Sequence, residues 1–233
     1  MEEDITADLG VWAHEQERLR SRIDLTDQRL AEDLRLIAGV DVAYWTAGEA
    51  EQAVACIVVV DAQRHTVLEQ VSYHGPVTEP YVPGFLAFRE LPLVLKAAER
   101  LATAPDLFMF DGNGYLHPRN MGIATHASFE LDQPTIGVAK TYYRVAGAEI
   151  APLPAEPGAF ADIVKDGEVY GCALRTRANV KPVYVSCGNW VSLETARTVT
   201  LSLVERDSRL PIPTRLADIF THSERKRLQE GGA

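Results

Sequence analysis

The 233-residue sequence predicts a single α/β domain in which helices flank a central mixed sheet. Two observations predict this fold class. Three strand candidates follow one another closely, and a helix and then a strand–helix–strand segment come after them. The length suits one hydrophobic core, and a hydrophobic fraction of 46% is ordinary for a soluble globular protein. We therefore expect one domain over residues 1–233.

The first half of the chain predicts a helix, three strands and a second helix. A charged surface helix is expected at about residues 10–24, where Leu19 and Ile23 lie one helical turn apart. Short separators between the next three strands predict an antiparallel meander. These strands are Leu36–Trp45, Ala53–Asp61 and Thr66–His74. A helical pattern follows over Phe85–Ala102, and Pro92 inside it predicts a kink or a fresh start.

The second half predicts strands that alternate with short helices. The strands are Leu107–Phe110, Thr135–Ala139, Glu168–Thr176 and Pro182–Cys187. One helix is expected around Met121–Phe129, and Ser192 is a candidate N-cap for another over Leu193–Val204. A loop and a short helix over RLPIPTRLAD precede a polar tail, residues 223–233, which we expect to fray. This order of elements is typical of the RNase H-like arrangement.

Charge and composition exclude several classes of protein. No run approaches the roughly 18 apolar residues of a membrane helix, and the acidic N-terminus lacks the pattern of a signal peptide. The cysteines and histidines form no zinc or CxxC pattern, which indicates reduced thiols in a cytoplasmic protein. The formal charge of −10 argues against nonspecific polyanion binding. Basic residues nevertheless cluster in the sequence. The cluster indicates either a phosphate-binding surface or ordinary solvated charges. These residues are Arg119, Lys140, Arg144, Arg175, Arg177 and Lys181.

Two aspartates stand in apolar surroundings, where an unpaired charge is costly. Asp41 lies inside LIAGVDVAYW, and Asp111 ends the run LFMF and is followed by Gly112 and Gly114. In an RNase H-like arrangement, the first strand and a later parallel strand bring these two carboxylates together. Such a pair predicts a divalent-metal site. The alternative is that each aspartate caps a turn or pairs with an arginine.

Longer motifs carry a resemblance to a known family. They are AGVDVAY around Asp41, PYVPGFLAFRE (Pro80–Glu90), DGNGYLHPRNMGIATH (Asp111–His126), PTIGVAK (Pro134–Lys140) and PTRLAD (Pro213–Asp218). In order and spacing, these blocks closely resemble endonuclease V from about Leu36 to Asp218. The resemblance implies an RNase H-like nuclease that acts on deaminated bases, above all inosine, in DNA or RNA.

The resemblance also implies a reaction and its requirements. On this basis we expect hydrolysis of a phosphodiester on the 3′ side of the lesion, with Mg²⁺ as cofactor and Mn²⁺ as its substitute. The product carries a 5′-phosphomonoester, and the damaged base stays in place for later repair. We expect a cytoplasmic monomer whose partners are DNA or RNA that contain deaminated bases, with no membrane partner.

By resemblance, four residues form the catalytic centre. Asp41 and Asp111 match the family's metal ligands, and Glu90 matches its third carboxylate, which binds metal directly or through water. Lys140 matches the lysine that meets the phosphate or the leaving oxygen. Without the motif, Lys140 reads as a solvated lysine at a strand end.

The resemblance further implies a loop and a pocket that read the base. Tyr81 corresponds to an aromatic wedge that fills the stack when a base is flipped out, and Pro83 makes its loop rigid. Without the match, Tyr81 is an ordinary loop aromatic. His117 is expected near the metal or phosphate, whereas His126 is equally explained as a packed, hydrogen-bonded helix residue. The flipped base is expected to contact backbone at Gly84, Leu86, Gly112, Ile123 and Ala139.

One position departs from the family pattern. The family usually has Gly-His near the last strand, with that histidine at the metal centre, whereas this chain has Gly188 and Asn189. An amide cannot act as a general acid, and the loss of such a group costs roughly 10²–10⁴-fold in rate. A catalytically weakened inosine-binding protein is therefore one alternative to an inosine-directed DNA endonuclease. An inosine-specific endoribonuclease is a second, since contacts with a 2′-hydroxyl decide that choice. A third is an α/β protein with an unrelated role, in which these motifs are relics of the fold.

Overall fold

The computed structural model describes residues 2–29 and 31–231. Within these ranges the chain forms five α-helices and nine strands. The helices are α1 (Glu2–Arg20), α2 (Leu86–Ala98), α3 (Ile123–Leu131), α4 (Leu193–Ser202) and α5 (Ile212–Gly231). The strands are β1 (Leu36–Ala47), β2 (Ala50–Asp61), β3 (Thr66–Pro76), β4 (Leu107–Phe110), β5 (Thr135–Ala139), β6 (Glu149–Ile150), β7 (Phe160–Lys165), β8 (Glu168–Leu174) and β9 (Val183–Asn189). They belong to one sheet in the order β3-β2-β1-β4-β5-β9-β8-β7-β6.

The first three strands form the predicted antiparallel meander. β1 pairs with β2 over its whole length, from Leu36 opposite Asp61 to Ala47 opposite Ala50. β2 pairs in turn with β3. Residues 53–60 of β2 are all buried. A continuous apolar run is expected in a strand that is covered on both faces, which explains why this segment does not alternate.

The middle of the sheet is parallel and its far half is antiparallel. β4 lies parallel to β1 on one side and to β5 on the other. β5 pairs antiparallel with β9, and β9 with β8. The predicted mixed sheet is therefore confirmed. The pairing of β1 with β4 matters most for the site, because it makes the end of β4 a neighbour of the middle of β1.

Helices cover both faces of the sheet, as predicted. On one face α2 packs against β2 and β3, with Leu91 in a core that includes Ile57. On the other face α5 packs against β1 and β2, with Ala217 in a core that includes Val58. Successive residues of β2 thus serve opposite cores, as the period of a strand requires. None of the described helices is both long and apolar enough to span a membrane.

The structure corrects several predicted boundaries. α1 covers residues 2–20 rather than about 10–24. α2 continues through Pro92 without a new start and ends at Ala98. A proline inside a helix lacks the N–H for one hydrogen bond and crowds the carbonyl four residues before it, but here it does not divide the helix. The polar tail is helical rather than frayed over residues 223–231, where α5 continues as one long helix.

Two strands were not predicted. β6 has only two residues, and β7 follows a proline-rich stretch that hides its pattern. The missed signal is the turn between β7 and β8, where Asp166 and Gly167 both have positive φ, at 53° and 83°. An Asp-Gly pair between two strand candidates is a strong hairpin signal.

Candidate active site

The parallel pairing of β1 with β4 brings the predicted aspartates together. β1 and β4 are parallel neighbours with Val40 opposite Phe110, so the next residues, Asp41 and Asp111, lie side by side. The Asp111 backbone N–H donates to the Val40 carbonyl at 3.2 Å. Both aspartates line one small cavity together with Glu90. The structure therefore brings together the three carboxylates that the sequence singled out.

A fourth carboxylate, not among the predicted site residues, completes the cluster. Asp218 extends from α5, and one carboxylate oxygen from each of Asp41, Asp111 and Asp218 lies within 4.8 Å of the other two. The Lys140 Nζ contacts Asp111 Oδ2 and Asp218 Oδ1, each at 2.6 Å. Asp218 is the last residue of the PTRLAD block, so the signal was present in the sequence but was given no role.

Gly39 lets α5 reach this cluster. A Cβ built on Gly39 would lie 2.1 Å from the carbonyl carbon and oxygen of Pro213, so a side chain here would displace α5. Pro213 lies in the first turn of α5, where its missing N–H is tolerated. Further along the helix, Thr221 Oγ1 donates to Asp41 Oδ2 at 2.6 Å. Thr221 therefore orients one oxygen of the Asp41 carboxylate.

Glu90 reaches the same cavity from α2. The Tyr44 hydroxyl donates to Glu90 Oε1 at 2.7 Å. The Arg89 guanidinium lies over the Tyr44 ring, 4.8 Å from its centroid, and contacts Glu51 Oε2 at 2.6 Å. Glu90 is thus held by the meander as well as by its own helix, and only one of its oxygens is engaged by Tyr44.

The electrostatics of the cluster are dominated by buried negative charge. Burial raises the pKa of Asp41 to about 6 and that of Glu90 to about 7, and it also raises the pKa of Asp111. Burial alone would lower the pKa of Lys140, but its hydrogen bonds to Asp111 and Asp218 raise it to about 12. Lys140 contacts two of the four carboxylates, and a cation bound among them would stabilise the remaining negative charge.

A second cavity adjoins the carboxylates and contains most of the predicted base-binding residues. It has an empty volume of about 490 Å³. The predicted residues that line it are Tyr81, Gly84, Leu86, Gly112, His117 and Ile123. Leu86 and Ile123 also line the carboxylate cavity, so the two cavities share a wall. Tyr81 lies in the loop before α2 and is 64% exposed.

Two predicted base-binding residues do not line this cavity. Pro83 belongs to the Tyr81 loop, and Ala139 is buried in β5 opposite Tyr184. The cavity instead includes Tyr143, whose ring stacks on His117 with 5.9 Å between centroids. Tyr143 was missed because it follows Lys140 outside every motif that was quoted.

His117 is a neutral hydrogen-bond acceptor in this cavity. Its Nδ1 accepts from the backbone N–H groups of Arg119 at 3.2 Å and Met121 at 3.4 Å. Burial lowers its pKa to about 4. His126 is also buried, and its ring meets Phe88 edge-on at 4.9 Å. The interpretation of His126 as a packed residue of α3 agrees with this contact, although its Nδ1 has no hydrogen-bond partner in the described part of the chain.

The expected place of Asn189 at the metal centre is wrong. Asn189 lies opposite Thr135, at the start of β5, whereas Lys140 follows the other end of that strand. The Asn189 side chain is fully buried, and its Oδ1 accepts from the Asp24 backbone N–H at 2.8 Å. Because β9 runs antiparallel to β5, its last residue lies at the opposite end of β5 from Lys140 and the carboxylates. Asn189 fastens the segment after α1 to the sheet.

A carboxylate cluster beside the central strands of an RNase H-like sheet is typical of RNase H-like nucleases. The endonuclease V family model matches residues 17–219. Endonuclease V of Clostridium acetobutylicum is 53% identical over 213 residues, which cover 91% of each chain. The chain therefore belongs to the endonuclease V family, whose members are hydrolytic endonucleases.

Solved structures agree with this assignment. The crystal structure of endonuclease V from Bacillus subtilis is 50% identical, with a TM-score of 0.89 over 93% of this chain and 91% of that one. Ciona intestinalis endonuclease V was crystallised with a 24mer DNA that contains an inosine followed by a ribo-adenosine. It is 26% identical, with a TM-score of 0.84 over 95% of this chain and 99% of that one.

Proposed function

We propose that this protein is a divalent-metal-dependent endonuclease that recognises inosine and hydrolyses a phosphodiester on its 3′ side. The observation that carries the proposal is the shared wall between the carboxylate cavity and the cavity lined by Tyr81 and His117. A base held in the cavity lined by Tyr81 and His117 would place the phosphodiester backbone of its own strand beside the carboxylates. The inosine-containing DNA bound by the Ciona intestinalis enzyme supports the choice of base.

The donor set fits a hard divalent cation. Asp41, Asp111 and Asp218 would hold the ion, and Glu90 would bind it directly or through water. All of these side chains offer oxygen ligands, which Mg²⁺ and Mn²⁺ prefer. One carboxylate oxygen from each of the three aspartates already lies within 4.8 Å of the other two. When bound, such an ion neutralises charge on the phosphate and makes a bound water nucleophilic near neutral pH.

Lys140 would act on the phosphate side of this centre. Its ammonium group contacts both Asp111 and Asp218, so it is held beside the carboxylate cluster. From there it would meet a nonbridging oxygen or steady the leaving oxygen. Its raised pKa keeps it charged at neutral pH, as either role requires.

The start of α3 would supply a backbone donor for hypoxanthine in the second cavity. Ile123 is the first residue of α3, and the first N–H groups of a helix have no partner inside the helix. A backbone N–H favours the carbonyl oxygen of hypoxanthine over the amine of adenine. Tyr81 would fill the gap that the flipped base leaves in the stack, because its loop carries the ring into solvent.

The two inosine-directed alternatives fare differently. A catalytically weakened inosine-binding protein depended on Asn189 at the metal centre, and Asn189 is held by Asp24 instead. An endoribonuclease remains a second candidate. The ribo-adenosine after the inosine in the Ciona intestinalis complex favours testing it, since a 2′-hydroxyl at that position distinguishes RNA from DNA.

Paired oligonucleotides test the proposed function. DNA and RNA strands with one inosine, and matched strands with adenosine, are incubated with the protein in Mg²⁺ or Mn²⁺. We expect a cut 3′ of inosine and none at adenosine, with no product from Asp41→Ala. Asp207→Asn is the matched control, because Asp207 is an exposed partner of Arg215. Equal cutting at adenosine, or substantial activity in Asp41→Ala, would overturn the proposal.

A further inference from the structure

Gln16 is a buried polar residue on α1, just before the part of the chain that the family model matches. Its side chain is 1% exposed. The Nε2 group donates to the Gly84 carbonyl at 3.0 Å and lies 3.4 Å from the Met121 carbonyl. The Oε1 atom accepts from Arg119 Nε. These partners fix the orientation of the amide, because the nitrogen faces two acceptors and the oxygen faces a donor.

Arg119 holds the same carbonyl from another direction. Its Nη2 donates to the Gly84 oxygen at 2.8 Å, so that oxygen accepts two hydrogen bonds. The guanidinium also lies over the Phe85 ring, 4.2 Å from its centroid. Gly84 has φ +86°, and a Cβ built there would lie 3.0 Å from Arg119 Nη2. The backbone at Gly84 is therefore fixed by its neighbours in a conformation that favours glycine.

The two carbonyls that Gln16 joins belong to different segments of the base cavity. Gly84 ends the loop that carries Tyr81, and Met121 lies in the turn before α3. Both residues line the cavity. Gln16 itself does not line it, so any effect on the base passes through the backbone.

We propose that Gln16 is a positioning residue for base recognition. Together with Arg119 it fixes the separation of the Gly84 and Met121 backbones, and thereby the width of the cavity. This inference rests on the proposed inosine-directed function and extends it to a helix outside the family motifs. Gln16 touches neither the carboxylates nor Lys140 in the described part of the chain, so its loss should change substrate binding and leave metal binding unchanged.

Two variants remove the donated hydrogen bonds while conserving size. Gln16→Glu keeps the acceptor for Arg119 but has no donor for the two carbonyls when ionised. Gln16→Met keeps the length and carries no charge, so it serves if a buried carboxylate prevents folding. For each we expect the KM for the inosine strand to rise about tenfold, the cost of roughly one hydrogen bond. The preference for inosine over adenosine should fall by a similar factor, with kcat within about threefold and Mn²⁺ affinity unchanged.

Leu19→Ala is the matched control on the same helix. Leu19 is buried at 2% exposure but makes no polar contact with the cavity, so this variant should lower Tm and keep the wild-type KM and base preference. Wild-type KM and preference in both Gln16 variants would overturn the inference. So would an equal rise in KM for Leu19→Ala, since that result would assign the effect to docking of α1. A wild-type protein that fails to prefer inosine would overturn the proposed function, and the inference with it.

Discussion

At the scale of single residues, the site depends on four carboxylates, two of which contact the Lys140 ammonium group. Asp41, Asp111 and Glu90 were predicted because two of them interrupt or end apolar runs and the third lies in a quoted motif. Asp218 was not, because a charged residue in an amphipathic helix looks like any solvated residue. The PTRLAD motif, which Asp218 ends, was the signal in the sequence, but the role of Asp218 follows from the approach of α5 to β1, which is a tertiary property.

Asp218→Asn tests the carboxylate that sequence reasoning missed. It removes a charge from the cluster but keeps the size of the side chain. Because charge neutralisation by a bound ion is worth several kcal/mol, we expect cleavage in Mg²⁺ to fall roughly 10²-fold or more and Mn²⁺ affinity to fall with it. Single-turnover cleavage and Mn²⁺ titration measure the two effects. Wild-type values for both would exclude Asp218 from the centre.

His126 gives a pH dependence of stability whose sign is fixed by burial. Burial lowers the pKa of His126 to about 4, below the usual value of about 6.5 in the unfolded chain. Above pH 6.5 both states are neutral. Between pH 6.5 and 4 the unfolded chain binds the proton first, so stability is lost as the pH falls, by roughly 2 kcal/mol at pH 5. The raised pKa values of Asp41 and Glu90 act in the opposite direction.

A difference between two proteins isolates this contribution. His126→Gln cannot titrate, whereas the carboxylates titrate in both proteins and cancel. The loss of unfolding free energy between pH 7 and 5, measured in urea, should be smaller in His126→Gln by roughly 2 kcal/mol. His14→Gln, at an exposed position of α1, is the control and should behave as wild type. Equal losses in wild type and His126→Gln would contradict the account.

At the scale of elements, long and strongly patterned segments were predicted well and irregular ones were not. The meander, β4 and β5 have uninterrupted apolar runs, and the Ser192 cap accepts from the Thr195 N–H as expected. The start of α1 and the full length of α5 were missed because both helices are mostly polar, so their packing partners decide their extent. Asn189 was misplaced because a motif match gives the residue but not the direction of its strand.

The contact between Gly39 and α5 predicts an effect at this scale. In Gly39→Ala the new Cβ would overlap the Pro213 carbonyl group, so α5 must move and carry Asp218 and Thr221 away from Asp41. We expect a loss of about 1–3 kcal/mol in unfolding free energy, the usual cost of overpacking, together with the loss of cleavage. Gly10→Ala is the control, since nothing among the described residues lies within 4 Å of a Cβ built there. An alanine there should raise stability by about 0.5–1 kcal/mol. Wild-type stability and activity in Gly39→Ala would contradict the close approach.

At the scale of the whole molecule, the order of strands brings distant parts of the chain to one edge of the sheet. Asp41, Asp111 and Asp218 meet because β1 and β4 are parallel neighbours and α5 crosses over them. The parallel pairing was predictable from element order, so the pair of strand aspartates was predictable too. The packing of α5 across these strands was not predictable, because the sequence of a helix does not indicate which strands it covers.

With an overall charge of −10, the protein must bind the phosphate backbone through local basic residues, so its affinity for nucleic acid depends on salt. Affinity for an inosine strand should fall at least roughly tenfold between 50 and 200 mM salt, because each phosphate contact releases a counterion. Fluorescence anisotropy with labelled DNA in Ca²⁺ measures this slope. An affinity independent of salt would mean that the protein binds the base without following the phosphate backbone.

The most direct test of the central claim is a metal titration of cleavage by protein treated with EDTA. A duplex with one inosine is the substrate, and Asp111→Asn is the comparison. The account predicts no product without metal, restoration by Mg²⁺ or Mn²⁺ with the cut on the 3′ side of inosine, and no product from Asp111→Asn at any metal concentration. Cleavage that proceeds in EDTA, or that Asp111→Asn retains, would contradict a metal centre built on these carboxylates.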